Sequence, residues 1–316
     1  MKNKMKFLFA CLTAIAVVGL MFTFNACSDD DELPPIDGYN NSNEVAATNL
    51  KAHWTFDGTN AERLSGLSPL AGAAGTFGTV GFEEGQIGQA LKLTGGALRY
   101  PNIAAVNTAD ALANYTVSMW VKVKNNRGTA AEGYTQLFGL FPDGLTPETA
   151  GDFMWGNINM AAETGWFAAT NAQPDTLVLK GQFVIKNADG SINGQDNRPD
   201  PRGNPPVGVF KKTGEWVHFV ARWNSTTRQF HIFGNASSIG AYTQRGTGDA
   251  LPLRMNVPCS PVFGNGAVKE LGFANGPDLQ TWSPLATAYI DDVRVFNTAL
   301  SDAEITALFN LGVAGR

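Results

Sequence analysis

Several short runs of the chain alternate apolar and polar residues, and they constrain the fold more than any other feature. The clearest is residues 115–124, YTVSMWVKVK, in which every second residue is apolar. Similar runs occupy residues 215–223, 228–234 and 288–296, and a further strand-like run occupies residues 177–186. A period of two residues is typical of antiparallel strands with one buried face. Frequent turns are also indicated, because the chain contains 35 glycines and 16 prolines.

One segment near the C-terminus has the pattern of a helix instead. Ser301 is followed three residues later by Glu304, which is the capping-box spacing. Ile305, Leu308 and Phe309 then form an apolar stripe. Many strands and one short terminal helix predict an all-β sandwich or barrel.

The composition excludes several classes of protein. The 316 residues are 44% hydrophobic and 16% charged, which suffices to bury a core and excludes a wholly disordered chain. A net charge of −5 argues against a general nucleic-acid binder. The three cysteines, Cys11, Cys27 and Cys259, provide neither a disulfide framework nor a cysteine-based zinc site. The three histidines, His53, His218 and His231, are dispersed, so any bound metal would have oxygen ligands.

The first 26 residues have the pattern of a secretory signal peptide, with three lysines before an apolar stretch that ends at Ala26. A transmembrane helix is the alternative for such a run, but its position and flanks favour the signal. The Ala26-Cys27 ending resembles a bacterial lipoprotein signal, in which Cys27 is lipidated. Ser28 and the acidic residues 29–32 resemble the Bacteroidota-type lipoprotein export signal. The resemblance implies a lipid anchor in the outer membrane and exposure at the cell surface.

The remaining chain divides into two parts by composition. Residues 27–45 are acidic and then polar, without periodicity, and are predicted to form a tether. Residues 46–316 carry all of the strand-like runs and are predicted to form a single domain.

Four segments of this domain, taken in order, resemble the concanavalin A-like, laminin-G-type jelly roll. They are AHWTFDG with GQIGQALKLTGGALRY, then YTVSMWVKV, GEWVHFVARWNSTTRQFHIFGN and YIDDVRVFNTALSDAEITALF, and together they span about residues 50–311. The resemblance implies a β-sandwich of two antiparallel sheets with a short C-terminal helix. The long segment 125–214 departs from it, and long loops in such a domain are often functional.

The same superfamily includes laminarinase- and lichenase-type glycoside hydrolases, which use two carboxylates ~5–5.5 Å apart. In that family the two carboxylates belong to the motif E-x-D-x-x-E, and this sequence does not contain that motif. The resemblance therefore implies binding of a glycan or polysaccharide without catalysis. A glycoside hydrolase or lyase with a different site, and a protein-binding adhesin, remain the alternatives.

Asp291 and Asp57 are the candidate metal ligands. Alternation within YIDDVRVF places Asp291 beside Tyr289, Val293 and Val295, where an ionised carboxylate needs a cation or hydrogen-bond donors. In laminin-G-type domains the matching position tends to hold a structural calcium, and the resemblance makes Asp57 its companion. Calcium accepts carboxylate and carbonyl oxygens. The alternatives are an ion pair with an arginine for Asp291 and an Asx-turn at Asp57.

Four aromatic residues outside the clearest strands are the candidate carbohydrate-binding residues. They are Tyr134, Trp155, Trp166 and Trp282. Aromatic rings stack on the C–H faces of sugars, although ordinary core packing is the alternative. The tryptophans in the family-like strands, Trp54, Trp120, Trp216 and Trp223, are expected to be structural. We therefore expect a carbohydrate-binding surface lipoprotein, associated with an outer-membrane polysaccharide-uptake complex.

Overall fold

A computed structural model describes most of the chain after the leader. The described residues are 33–124, 133–144, 146, 155–164, 175–186, 192–197, 210–243 and 253–316. They contain thirteen strands and one α-helix, α1, at Asp302–Val313. The strands are β1 Leu50–Trp54, β2 Thr76–Glu84, β3 Gln89–Arg99, β4 Tyr115–Val123, β5 Tyr134–Pro142, β6 Ile158–Thr164, β7 Leu177–Lys186, β8 Ile192–Asn197, β9 Val217–Asn224, β10 Gln229–Gly234, β11 Ser237–Tyr242, β12 Cys259–Phe263 and β13 Ala286–Phe296.

The strands form one antiparallel path that folds over into two packed layers. The first layer contains β1, β2, β4, β9, β10, β11, β13 and the first part of β3, and the second contains β5, β6, β7, β8 and β12. Its order is β11-β10-β9-β4-β13-β3-β12-β5-β6-β7-β8, while β1 pairs with β13 and β2 pairs with β3. Phe183 of β7 lies 4.9 Å from Trp223 of β9 and 5.3 Å from Phe230 of β10, measured between ring centroids. Strand β7 therefore covers β9 and β10, and the predicted all-β jelly-roll sandwich is confirmed.

Strand β3 joins the two layers at a pair of glycines. Its first part pairs with β13, whereas Leu98 and Arg99 pair with β12. Gly95 has a φ of +55°, and a Cβ at Gly96 would collide with the carbonyl oxygen of Thr79. The strand bends at a position that only glycine accommodates.

The core between the layers is built around Trp54. Its ring centroid lies 5.5 Å from those of Tyr100 and Phe138 and 5.2 Å from that of Phe263. Cys259 is 1% exposed and belongs to the same core. Burial of this apolar surface is the main force that holds the layers together.

The predicted strands at 115–124, 215–223, 228–234 and 288–296 are confirmed as β4, β9, β10 and β13. The predicted helix is also confirmed, and its capping box is complete. The amide of Glu304 donates to Ser301 Oγ at 3.2 Å, and the amide of Ser301 donates to Glu304 Oε2 at 2.7 Å. Ile305 and Leu308 are buried, so α1 packs against the outer face of the first layer.

Strand β13 departs from strict alternation near its middle. A bulge lies between Asp291 and Arg294, and Asp292 has a φ of +45°. Because a bulge adds a residue to one strand, it reverses the alternation beyond it. Val293 consequently points into the core, on the opposite side from Tyr289 and Asp291. The prediction that Asp291 shares a face with Val293 and Val295 was wrong.

Residues 36–45, which the sequence assigns to the tether, lie against the sandwich. Ser42 Oγ accepts a 2.8 Å hydrogen bond from Arg294, and Val45 is 1% exposed. Residues 36–316 form one compact unit. The leader and Cys27 lie outside the described residues. No helix in the described part of the chain is both long enough and apolar enough to cross a membrane.

Candidate functional site

The two predicted metal ligands, Asp57 and Asp291, line one solvent-open cavity of about 380 Å³. The turn that joins β2 to β3 closes one side of it. In this turn the amide of Ile87 donates to Asp291 Oδ2 at 2.8 Å, and the amide of Gln89 donates to Asp57 Oδ1 at 2.8 Å. We call Asp57, Asp291 and turn residues 85–88 the carboxylate cradle.

Two glycines allow the turn to approach the carboxylates this closely. A Cβ at Gly85 would lie 2.5 Å from Asp291 Oδ2, and a Cβ at Gly88 would collide with Asp57 Oδ1. Gly88 also has a φ of +61°, which side chains other than glycine rarely adopt. The G-Q-I-G sequence of the turn is therefore fitted to the two aspartates.

Asp291 is buried without a cation partner. Its side chain is 0% exposed, and burial raises its pKa to about 7, with a further rise from the charge of Asp292 and an opposing effect from the amide of Ile87. Its Oδ1 atom has no hydrogen-bond partner within the described ranges. No ion pair among the described residues involves Asp291, so the arginine alternative fails in this part of the chain.

The nearby arginine is engaged by Asp292 instead. Arg294 Nε lies 2.9 Å from Asp292 Oδ2, and His53 Nε2 lies 2.7 Å from Asp292 Oδ1. Burial alone would raise the pKa of Asp292, but the charge of Arg294 and the hydrogen bond from His53 hold it well below its usual range. Asp292 is therefore the ionised partner of Arg294, and Asp291 forms no ion pair in the described part of the chain.

The cradle offers carboxylate oxygens, which are ligands of the kind that calcium accepts. Asp291 offers an oxygen atom without a partner among the described residues, and Asp57 lines the same cavity, which Arg63, Arg294 and Arg316 also line. The described residues contain no group of three or more His, Cys, Asp or Glu that could hold a metal. Further ligands would therefore be carbonyl oxygens and waters, which calcium accepts and zinc rarely does. The Asx-turn alternative for Asp57 does not hold among the described residues, because the Asp57 carboxylate accepts from the amide of Gln89 rather than from that of Thr59.

Three of the four predicted carbohydrate-binding residues come together on the other layer. The ring centroids of Trp155 and Trp282 are 5.3 Å apart, and Tyr134 lies 5.6 Å from Trp282 and 6.4 Å from Trp155. Both tryptophans are partly exposed, whereas Tyr134 is 7% exposed. We call these three residues the aromatic cluster. Trp166 lies outside the described residues.

A short turn presents Trp282. The amide of Ser283 donates to the carbonyl of Gln280 at 3.1 Å, which places Trp282 inside the turn. Asn265 is 2% exposed and donates to the carbonyls of Ser283 and Pro284, at 3.1 Å each. This buried amide fixes the segment that carries Trp282.

Trp155 stands where the chain enters β6. The next residue, Gly156, has a φ of +75°, and a Cβ there would lie 3.0 Å from the carbonyl oxygen of Leu140. The side chain of Asn157 then donates to the carbonyl of Asn256 at 2.9 Å and accepts from its amide at 2.8 Å. These contacts determine the position of Trp155 from its C-terminal side.

Beside the aromatic cluster, strands β5, β6 and β7 carry polar side chains that point away from the core. They are Gln136, Asn159, Glu163, Lys180 and Gln182, and we call them the polar rows. All five are 0–8% exposed. Gln136 lines a cleft together with both tryptophans. The polar rows and the aromatic cluster therefore lie next to each other on the outward side of β5, β6 and β7, and Gln136 is the member of the rows that reaches the cleft.

Two pairs organise the polar rows. Glu163 Oε1 lies 3.1 Å from Lys180 Nζ, and this ammonium lies 5.2 Å from the ring centroid of Tyr134. Asn159 Nδ2 donates to Gln182 Oε1 at 3.1 Å. Asn159 Oδ1 has no hydrogen-bond partner among the described residues although Asn159 is 0% exposed.

Sequence reasoning missed the polar rows. The signal was present in β6, INMAAET, where Asn159 and Glu163 alternate with the core residues Ile158, Met160 and Ala162. Alanine occupies the outward position between them, which weakens the pattern.

No protein-family model matches the chain, and no curated protein is similar to it in sequence. Its structure is nevertheless similar to solved β-sandwich domains. The botulinum neurotoxin serotype G binding domain aligns with a TM-score of 0.51 at 10% identity, over 83% of this chain and 50% of that one. The chain thus spans about half the length of that domain. At this identity the similarity concerns the fold.

Two further structures are similar at lower scores. Domain 4 of AbnA, a GH43 extracellular arabinanase from Geobacillus stearothermophilus solved with arabinotriose, has a TM-score of 0.49 and 19% identity, over 82% of this chain and 97% of that one. The botulinum neurotoxin serotype D ligand binding domain, solved with N-acetylneuraminic acid, has a TM-score of 0.46 and 10% identity, over 83% of this chain and 50% of that one.

Proposed function

We propose that the protein binds a glycan at the aromatic cluster and at the cleft that its tryptophans share with Gln136. One observation carries the proposal: Tyr134, Trp155 and Trp282 come from distant segments and converge, and the two partly exposed tryptophans line this cleft together with the amide of Gln136. Indole rings can stack on the apolar faces of sugar rings, and amide side chains can bond sugar hydroxyls. Both kinds of group lie side by side here.

We infer that this surface binds its ligand without cleaving it. Hydrolysis by the superfamily's known route requires a pair of carboxylates. Within the polar rows Glu163 is the carboxylate, and it lies in an ion pair with Lys180. No second carboxylate belongs to the polar rows, so the pair that hydrolysis requires is incomplete there.

We further propose that the carboxylate cradle holds a structural calcium. The ion would neutralise Asp291 and hold the β2–β3 turn against the end of β1 and the middle of β13. Asp57, Asp291 and nearby carbonyl oxygens would supply the ligands. The cradle and the aromatic cluster have no residue in common, so this calcium would support the fold rather than contact the glycan.

The leader sequence supports a place for this activity at the cell surface. Lipidation at Cys27 would anchor the protein in the outer membrane, and the acidic residues that follow would direct it outward. A glycan-binding domain there would serve a polysaccharide-uptake complex by retaining the polymer near the membrane. This assignment rests on the sequence resemblance alone.

A glycan array tests the proposal. The full chain with Cys27→Ala, which is free of lipid, is compared with the same protein carrying Trp155→Ala and Trp282→Ala. We expect the first to bind a defined set of glycans and the second to lose those signals. The glycans that bind are then incubated with the protein, and new reducing ends are measured. Binding that survives the double substitution, or release of reducing ends, contradicts the proposal.

A further inference from the structure

The first layer carries another surface in which aromatic and basic residues are combined. Lys92 of β3, Tyr289 of β13 and Lys122 of β4 are direct partners across neighbouring strands. Trp216 precedes β9 and continues the row, because the next residue, Val217, pairs with Val121. We call Lys92, Tyr289, Lys122 and Trp216 the lysine–aromatic stripe. All four are partly exposed.

The stripe is held by cation–π contacts. Lys122 Nζ lies 4.7 Å from the ring centroid of Tyr289 and 5.2 Å from that of Trp216. Lys92 Nζ lies 5.8 Å from Tyr289, and the two rings are 6.3 Å apart. These distances are typical of cation–π contacts. Such contacts restrict the lysine side chains but leave their ammonium groups able to bind an anion.

The stripe has an excess of positive charge on an acidic protein. Lys92 pairs with Glu83, but no ion pair among the described residues includes Lys122 or the neighbouring Lys124. The whole chain has a net charge of −5. A local excess of cations against that background favours an anionic partner.

The row next to the stripe adds hydroxyl groups. Thr94 of β3 lies directly opposite Thr79 of β2 and Thr287 of β13. Thr79 and Thr94 are exposed, and Thr287 is partly exposed. The surface thus presents ring faces, free ammonium groups and hydroxyls in adjacent rows.

We propose that the lysine–aromatic stripe binds an acidic polysaccharide, with sugar rings against Tyr289 and Trp216 and the anionic groups of the sugars at Lys122 and Lys124. Uronate and sulfate groups are both recognised by this chemistry, because each offers oxygens to an ammonium. The site lies on the opposite layer from the aromatic cluster and does not depend on it. The protein would therefore hold two glycans, or two parts of one polymer.

The test compares polygalacturonate, its methyl ester and dextran sulfate as ligands of the lipid-free full chain. The ester keeps the sugar chain but removes its charge. We expect polygalacturonate to bind with an affinity that falls as salt is added, and the ester to bind at least about tenfold more weakly. Dextran sulfate distinguishes a preference for sulfate from one for carboxylate.

Matched variants locate the site. Lys122→Gln and Trp216→Ala should each weaken polygalacturonate binding about tenfold, whereas Trp282→Ala should leave it unchanged. If Trp216→Ala unfolds, Lys122→Gln decides, since it retains most of the aliphatic stem. Each variant is first compared with the parent by thermal melting.

Four outcomes would overturn the proposal. One is the absence of binding to both acidic polymers, which would leave the stripe as a cross-strand contact that only stabilises the sheet. Another is full binding by folded Lys122→Gln and Trp216→Ala proteins. The third is tighter binding of single-stranded DNA, which would indicate a nucleic-acid surface. Loss of binding only with Trp282→Ala would place the acidic polymer on the aromatic cluster and would also reject the stripe.

Discussion

The indole rings of Trp155 and Trp282 lie 5.3 Å apart between centroids, with 41° between their planes. Trp155 lies at the entrance to β6, and Trp282 lies in a turn before β13. The buried Asn157, two residues after Trp155, fixes the first position, and the buried Asn265, which donates to the two carbonyls after Trp282, fixes the second. Because the rings pack on each other, they form one apolar surface, and we expect them to act in binding as a unit.

The first prediction concerns this pair. Trp155→Ala and Trp282→Ala should each lower the affinity for a glycan found on the array about tenfold or more, which corresponds to roughly 1.4 kcal/mol. The double substitution should cost less than the sum, since each ring supports the other. Titration calorimetry measures this. Phe309→Ala, which removes a partly exposed ring on α1 outside both proposed binding surfaces, is the matched control, and equal losses in all three proteins would contradict the prediction.

The sequence singles out these aromatic residues but cannot show that they meet. The sequence predicts a binding role for Tyr134, Trp155 and Trp282 because they lie outside the clearest strand-like runs. Their convergence depends on residues 264–285, which fold over the outward face of the second layer and bury a separate small core there. No local pattern encodes that packing, since it joins segments far apart in the chain.

The second prediction concerns calcium. An ion at 100 times its dissociation constant stabilises the folded chain by about 2.7 kcal/mol, which corresponds to a rise in melting midpoint on the order of 5–10 °C. Chelator should therefore lower the midpoint of the native protein, and Asp291→Asn should abolish the response. Asp278→Asn, at an exposed carboxylate, should respond like the native protein. A native midpoint that chelator does not change, with no metal found by elemental analysis, would reject the calcium site.

The third prediction concerns the turn of the cradle. Gly88→Ala introduces a Cβ that collides with Asp57 Oδ1 at a residue with positive φ, and we expect it to destabilise the protein by about 1–3 kcal/mol. Displacement of Asp57 should also weaken the response to calcium. Gly81→Ala is the control, because a Cβ there meets open space. Urea denaturation with and without calcium compares the two, and equal stabilities would show that the turn tolerates a side chain.

The bulge in β13 shows where sequence periodicity fails. Asp291 attracted attention because alternation set a carboxylate among apolar residues, and the structure does bury it. The pattern could not reveal that Asp292 takes a positive φ and shifts Val293 to the core. The two adjacent aspartates consequently have different partners. Asp291 accepts from the turn of the cradle, and Asp292 pairs with Arg294.

The fourth prediction concerns the anchor. Cys27→Ala should prevent lipidation and release the protein from membranes, because a single lipid-bearing residue provides the proposed attachment. Fractionation followed by immunoblotting measures this. Replacing Asp29, Asp30 and Asp31 by alanine should retain the lipid but protect the protein from protease added to intact cells. Membrane association of the Cys27→Ala protein equal to that of the native protein would reject the anchor.

The fifth prediction concerns acid stability and rests on His218. This side chain is 1% exposed among Trp120, Phe309 and Ser118, whose Oγ lies 2.8 Å from Nε2. Burial lowers the pKa of His218 to about 3. The folded chain therefore keeps this histidine neutral where the unfolded chain takes up a proton. Its contribution to stability is complete above about pH 6.5 and is lost as the pH falls towards 3.

Between pH 6.5 and 5 that loss amounts to about 2 kcal/mol. His218→Gln should lower stability at neutral pH, because it disturbs the buried contacts, yet show a shallower decline on acidification. Burial also lowers the pKa values of His53 and His231. These two histidines therefore contribute to the decline of the unfolding free energy with falling pH in both proteins. Asp291 affects both proteins alike, so the difference between the two slopes belongs to His218. Urea denaturation at intervals from pH 5 to 7.5 measures it, and parallel curves would mean that His218 binds its proton equally well in the folded and unfolded chains.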